Sequence, residues 1–104
     1  CDWKYNSNMA AIRFAWDKAK AAENIRKHGI SFEEGSTVFA DENARLKHDP
    51  DHSDSEDRFI LLGLSSMLRL LLVCHSHREN DDVIRIISVR KATPNERKQY
   101  GSYL

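Results

Sequence analysis

This sequence of 104 residues has few cysteines, no long apolar run and no excess of positive or negative charge. The two cysteines, Cys1 and Cys74, offer no disulfide framework, so a reducing cytoplasm is the simpler interpretation. The longest apolar stretch, LRLLLVC at residues 68–74, is far shorter than the ~20 residues that span a bilayer, and no signal peptide is recognisable. We therefore expect a cytoplasmic protein that has no membrane partner.

The formal net charge is zero, which argues against strong non-specific binding to nucleic acid because such binding depends on a basic surface field. The charges are nevertheless segregated, since residues 49–57 are mainly acidic and residues 85–98 mainly basic. The length fits one domain with a modest core. Residues 1–8 show no hydrophobic periodicity, and we expect them to be a disordered extension outside a single domain at residues 9–104.

The first half of the domain is predicted to be a strand followed by two helices. Residues 12–17 alternate between apolar and other side chains, which is typical of a half-buried strand. Asp17 can cap a helix that Gly29 ends. Ser31 and Glu34 form the pattern of a capping box, which starts a second helix that continues to about residue 39.

The second half is predicted to be a run of strands and a final helix. Thr93 and Glu96 form a second capping box with proline at the first helical position, and His75 and His77 are expected to be partly exposed at a strand end. Strands adjacent in sequence pair antiparallel by default. The prediction is an α+β domain of order βααββββα, with an antiparallel sheet of four to five strands. The strand candidates lie at residues 44–49, 58–65, 68–77 and 82–90.

The last predicted strand contains two arginines, Arg85 and Arg90, which strict alternation places on opposite sheet faces. A bulge near Ser88, or a position of Arg90 beyond the end of the sheet, would bring them together. A buried arginine must be paired or must line a cleft, because an uncompensated charge in the core is costly. Structural ion pairs, for example with Glu56 or Asp57, and a phosphate-directed site explain the two arginines equally well.

The polar loop at residues 48–57 does not predict a metal site. A calcium loop started at residue 49 would need glycine at its sixth position and glutamate at its twelfth, where Asp54 and Ile60 stand. His48 and His52 lack the further spaced ligands of a transition-metal site. We expect neither a metal nor a cofactor.

Three segments, FAWDKAKAAENIRKHGISFEE, DPDHSDSEDRFILLG and IRIISVRKATPNERKQY, occur in this order between Phe14 and Tyr100. Together they resemble the BrnT family, the toxin half of bacterial BrnT–BrnA type II toxin–antitoxin pairs. The resemblance implies a RelE-like domain and a ribonuclease that blocks translation. Two positions depart from the family pattern: Val89 stands where alanine is expected, and His77 where an acidic residue is expected.

The resemblance also implies the partners. These are an RNA substrate and BrnA, a ribbon-helix-helix antitoxin that neutralises the toxin in a hetero-oligomer and binds operon DNA. The toxin itself would reach DNA only through this antitoxin.

RNA cleavage without a metal proceeds by attack of the 2′-hydroxyl on the adjacent phosphate, which needs a base, an acid and cationic donors. Arginine suits the phosphate, whereas the other candidates could move protons. The chain is therefore interpreted as a metal-independent endoribonuclease. The candidate catalytic residues are Arg85, Arg90, His52, Glu56, Glu96 and Tyr100, and the candidate RNA-binding residues are Lys27, His28, Arg58, Lys91 and Arg97.

A competing hypothesis is a non-catalytic module that binds protein or nucleic acid, for example a degenerate toxin with the same fold. Such a module would need the arginines, but it would not need His52, Glu56 or Tyr100 for proton transfer. The departure at His77 is the sequence feature that favours it.

Overall fold

The structure is a computed structural model that describes residues 13–48, 58–77 and 83–103. The element order is βααββββα, as predicted. The candidates His52 and Glu56 and the extension at residues 1–8 lie outside the described residues. In the part of the chain described, no helix is long and apolar enough to cross a membrane. The elements are β1 (Arg13–Ala15), α1 (Lys18–His28), α2 (Phe32–Thr37), a 3₁₀ turn (Val38–Ala40), β2 (Arg45–His48), β3 (Arg58–Leu64), β4 (Leu70–His77), β5 (Val83–Lys91) and α3 (Pro94–Tyr103).

The five strands form one sheet in the order β1-β5-β4-β3-β2. The pairs β2–β3, β3–β4 and β4–β5 are antiparallel, as expected for strands that follow one another in sequence. β1 instead lies parallel to β5 at the edge of the sheet, which makes the sheet mixed. The α+β fold is confirmed, with this one parallel pair added.

Apolar side chains are buried on both faces of the sheet, because successive residues of a strand point to opposite faces. Leu61, Leu71 and Val73 are buried on the face covered by α1 and α2, which we call the α1/α2 face. Their neighbours Leu62 and Leu70 are buried on the opposite face, against α3, which we call the α3 face. The sheet is therefore the middle layer of a three-layer domain, and α3 covers only part of its own face.

Helix ends follow the predicted capping chemistry. The Asp17 carboxylate accepts a hydrogen bond of 2.7 Å from the backbone N–H of Ala19, and Gly29 ends α1 with φ +68°. Ser31 Oγ accepts from the N–H of Glu34 at 3.0 Å, which is one half of a capping box. The Glu34 carboxylate does not return to the cap. It accepts hydrogen bonds from Ser65 and Arg69 instead.

The expectation that His75 is partly exposed is wrong, because only 4% of its surface is exposed. Its ring packs edge-on against Phe39 and stacks on Phe59, so the end of β4 stays inside the α1/α2 face. Burial lowers the pKa of His75 to about 4, with the charge of His77 adding to the effect. His77 is exposed, as predicted.

Candidate functional site

A β-bulge interrupts β5 near its middle. Cys74 of β4 pairs with Ser88, whereas the next residue, His75, pairs with Ile86. Ile87 is thus an extra residue on β5 without a partner in the β4 register. Of the two alternatives for bringing the arginines together, the structure shows the bulge, because Arg90 pairs with Leu72 and so stays within the sheet.

The bulge places the two arginines of β5 on one face. Ile86 before the bulge and Val89 after it are both buried in the α1/α2 core, although three positions separate them. Arg85 and Arg90, which neighbour these residues in sequence, therefore both point to the α3 face. Without the extra residue, one of the two would leave by the opposite face.

Arg85 belongs to a cationic row across three strands. In the sheet register, Arg58 of β3 pairs with Ser76 of β4, and Ser76 pairs with Arg85 of β5. Since neighbouring strands lie ~4.8 Å apart, the backbones of the two arginines are about 10 Å apart on the same face. Ser76 is buried between them, Arg58 is half-buried and Arg85 is exposed. Guanidinium groups are planar and can each donate two parallel hydrogen bonds to phosphate oxygens.

Arg90 is held by Glu96 in a bidentate ion pair, with both N–O distances at 2.9 Å. The same carboxylate accepts from the N–H of Thr93 at 2.8 Å, and Thr93 Oγ1 accepts from the N–H of Glu96. The second capping box is thus complete, as predicted. The hydrogen bond from Arg90 is the main cause that lowers the pKa of Glu96, which keeps this carboxylate ionised at neutral pH. Of the two explanations for the arginines, this geometry favours a structural ion pair at Arg90.

Tyr100 lies in the smaller core on the α3 face, with 6% of its surface exposed. Its hydroxyl donates a hydrogen bond of 2.7 Å to the Asp41 carboxylate, which also accepts from the N–H of Leu64. Burial raises the pKa of Tyr100 to about 12, with the hydrogen bond to Asp41 and the charge of Asp41 adding to the effect. These contacts fasten α3 to the sheet, and the catalytic role of Tyr100 stays a prediction.

One of the five candidate RNA-binding residues, Arg58, lies in the cationic row, and the other four fall into two groups elsewhere. Lys91 and Arg97 are exposed near the start of α3. Lys27 and His28 are exposed at the end of α1 and line a cavity of about 180 Å³ with Ser88. The five candidates therefore lie in three places on the surface and do not converge on one point.

Lys20 is a residue that the sequence interpretation missed. It lines the small cavity beside Lys27 and also a second cavity of about 400 Å³ beside Arg58 and Arg85. The signal was present in the sequence, because Lys20 lies two helical turns before Lys27 and so on the same side of α1. Within residues 13–48, 58–77 and 83–103, no group of three or more His, Cys, Asp or Glu side chains could hold a metal ion.

Comparison with known proteins agrees with this fold. The family model described as "Ribonuclease toxin, BrnT, of type II toxin-antitoxin system" matches residues 16–96. A 1.1 Å crystal structure of the Brucella abortus ribonuclease toxin BrnT resembles the chain with a TM-score of 0.57 and 23% identity, covering 79% of this chain and 97% of that one. No curated protein sequence matches. Because the family match spans most of its length, the chain belongs to the BrnT family of ribonuclease toxins of type II toxin–antitoxin systems.

Proposed function

We propose that this protein is a metal-independent endoribonuclease whose catalytic site is centred on Arg58 and Arg85. The main support for this proposal is the sheet register, which places Arg58 and Arg85 on one face, on either side of buried Ser76. Cleavage develops an extra negative charge on the phosphate in the transition state, and fixed cationic donors stabilise that charge. Arg58 and Arg85 hold the non-bridging phosphate oxygens in this proposal.

Proton transfer is assigned to His52 and Glu56, which lie outside the described residues. Glu56 lies two positions before Arg58 in the sequence. The 2′-oxygen loses its proton to the base and bonds to phosphorus, while the bond to the 5′-oxygen breaks and that oxygen takes up a proton. The products are a 2′,3′-cyclic phosphate end and a 5′-hydroxyl end.

In this proposal, the candidate residues around α3 hold that helix in place and do not take part in the chemical step. Glu96 is ionised and bound to Arg90, and Tyr100 holds its proton against Asp41. Neither group is free to exchange a proton with substrate at neutral pH. We therefore assign Arg90, Glu96 and Tyr100 to the support of α3, which lies beside Arg58 and Arg85. We call these two arginines the catalytic row.

The departure from the family pattern at His77 does not touch the proposed site. His77 pairs with Ile84, and alternation places both on the α1/α2 face, opposite to Arg58 and Arg85. A change of charge at this position therefore leaves the catalytic row intact. The departure at His77 therefore gives no support to a degenerate toxin.

The match to a family of ribonuclease toxins of type II toxin–antitoxin systems supports a wider role for this activity. In this proposal, cleavage of RNA blocks translation in the cytoplasm, and a ribbon-helix-helix antitoxin neutralises the toxin in a hetero-oligomer. DNA would be contacted only by that antitoxin.

The proposal is tested with purified protein and cellular RNA in the presence of EDTA. Cleavage should persist and leave 2′,3′-cyclic or 3′-phosphate ends, identified by mass spectrometry of the fragments. Arg85→Ala purified in the same way is the control for contaminating nucleases. Cleavage that EDTA abolishes and one divalent metal restores would contradict the metal-independent mechanism. Folded protein that cuts no RNA would instead favour the non-catalytic module.

A further inference from the structure

Two adjoining cavities form a continuous groove between α1 and the bulge of β5. The larger, about 400 Å³, is lined by Arg58 and Arg85, and the smaller, about 180 Å³, by Lys27 and His28. Lys20 and Ile87 line both. We call this surface the bulge groove. It leads away from the proposed catalytic row toward the end of α1.

The acidic residues of the bulge groove are already engaged. Asp17 caps α1 through hydrogen bonds from the backbone of Ala19 and Lys20. Glu23 forms ion pairs with Arg26 and, at 3.8 Å, with Lys27. Across the described ranges, no carboxylate forms an ion pair with the exposed Lys20 ammonium. The middle of the groove therefore presents an available positive charge.

The length of the bulge groove suits a short stretch of single-stranded RNA. Lys20 and Lys27 are seven residues apart on α1, which corresponds to about 10 Å along the helix axis. At ~3.4 Å per nucleotide of a stacked strand, this distance covers about three nucleotides. Trp16 lines the larger cavity, with its ring edge-on to Phe32, and adds an aromatic wall beside the cations.

We propose that the bulge groove is a subsite for the backbone of single-stranded RNA next to the cleaved phosphate, with Lys20 as its central phosphate-binding residue. This inference rests on the proposed ribonuclease function. It assigns Lys20 to substrate binding and not to the chemical step. A substrate long enough to fill the groove should bind more tightly than a shorter one, without being cut faster once bound.

The test uses oligoribonucleotides built around a cleavage site mapped with the unmodified protein, and trimmed one nucleotide at a time from either end. Lys20→Ala should raise KM for the long oligonucleotide about fivefold at low salt while kcat is unchanged. Trimming one end by about three nucleotides should raise KM of the unmodified protein similarly, but should have little further effect on Lys20→Ala. Lys18→Ala, an exposed lysine on the same helix that lines neither cavity, is the matched control.

Salt dependence gives a second measurement that a structural role would not change. Loss of one phosphate contact should reduce the slope of log kcat/KM against log salt by about 0.7 for single-stranded RNA. Equal KM values for Lys20→Ala and Lys18→Ala, or a KM that does not depend on substrate length, would overturn this inference while cleavage itself stood. If the unmodified protein cuts no RNA, the result contradicts the proposed ribonuclease function, on which this inference rests.

Discussion

At the scale of single residues, the two arginines of β5 differ in whether they are already paired, because their surroundings differ. Arg85 is exposed beside Arg58 on the sheet, whereas five residues later the guanidinium of Arg90 is fully engaged by a carboxylate. The charge on each is the same, but only Arg85 can take up a phosphate without first losing a partner. The two arginines should therefore respond differently to the same substitution.

Arg85→Lys keeps the charge but removes the planar fork, so we expect it to lower RNA cleavage about 100-fold with an unchanged melting temperature. Arg90→Lys should lower the free energy of unfolding by at most about 1 kcal/mol, because 38% of the Arg90 side chain is exposed and water screens its pair with Glu96. That loss corresponds to a melting temperature lower by about 4–8 °C. Cleavage rates and thermal melts of both variants check this. Early melting of Arg85→Lys, with normal cleavage by its folded fraction, would contradict the assignment.

His75 should make the protein less stable in mild acid. Its pKa is about 4 in the folded protein and about 6.5 when unfolded, so the unfolded chain binds the proton more readily. The stability contribution is fully present above pH 6.5 and is lost as the pH falls toward 4, by about 3 kcal/mol at most. His75→Phe keeps the ring contacts and should flatten the loss of stability across this range, measured by urea unfolding at each pH. His77→Phe, at an exposed position, is the control, and equal pH profiles for the two variants would count against a buried neutral His75.

At the scale of elements, close packing between α2 and β5 constrains the sequence. A methyl group on Gly35 would approach Val89 Cγ2 to 2.6 Å, well inside normal contact. Val89 is fully buried, and its branched side chain has few alternative rotamers. The valine that departs from the family pattern is therefore accommodated by a residue that has no side chain.

We expect Gly35→Ala to destabilise the protein by about 1–3 kcal/mol through overpacking, although alanine normally favours a helix over glycine. In a Val89→Ala background the clash disappears, so the same substitution should become neutral or stabilising. The four proteins form a double-mutant cycle that denaturant unfolding can measure. Additive effects of the two substitutions would show that the contact is not rigid.

Element identity was predictable because local chemistry determines it. Asp17, Gly29 and the Thr93–Glu96 capping box fix helix ends through bonds within a few residues, and all four behave as expected. The parallel pairing of β1 with β5 depends on contacts across the whole chain, which periodicity does not report. His75 was misplaced for the same reason, because Phe39 covers it from a distant element.

Much less of the candidate site was predictable. The sequence offered the bulge as one of two alternatives. It could not show that Glu96 binds Arg90 or that Asp41 binds Tyr100, because these pairs depend on where α3 packs. Lys20 was missed because a single lysine on an exposed helix is ordinary until a cavity is seen beside it. Long-range packing, more than residue type, therefore decides which of these side chains are paired within the protein.

At the scale of the whole molecule, the net charge is zero, but the positive and negative charges are unevenly distributed along the sequence. Basic residues from four strands share the α3 face, so RNA would be attracted to this side even though the protein is neutral overall. Non-specific binding elsewhere should stay weak. By the sheet register, these residues are Arg13, Arg45, Lys47, Arg58, Arg85 and Arg90.

Induced expression of the protein should stop growth and protein synthesis, because RNA cleavage removes the templates of translation. Co-expression of its antitoxin should restore both. Arg85→Ala should be produced at normal levels without toxicity and should still co-purify with the antitoxin, since a point change at an exposed residue leaves the fold intact. Growth curves, labelled amino-acid incorporation and pull-downs check the three statements. Arrest of growth by the Arg85→Ala variant would contradict a catalytic origin of the toxicity.

Beyond β1, the side chain of Asn24 occupies the outer edge of β5 at Val89. The amide of Asn24 donates to the Val89 carbonyl at 2.8 Å and accepts from the Val89 N–H at 3.1 Å, as a neighbouring strand would. An open strand edge is a template on which other chains can add strands and polymerise. By occupying both backbone groups, Asn24 ends the growth of the sheet at this point. One buried amide thereby withholds this part of the β5 edge from strands of other chains.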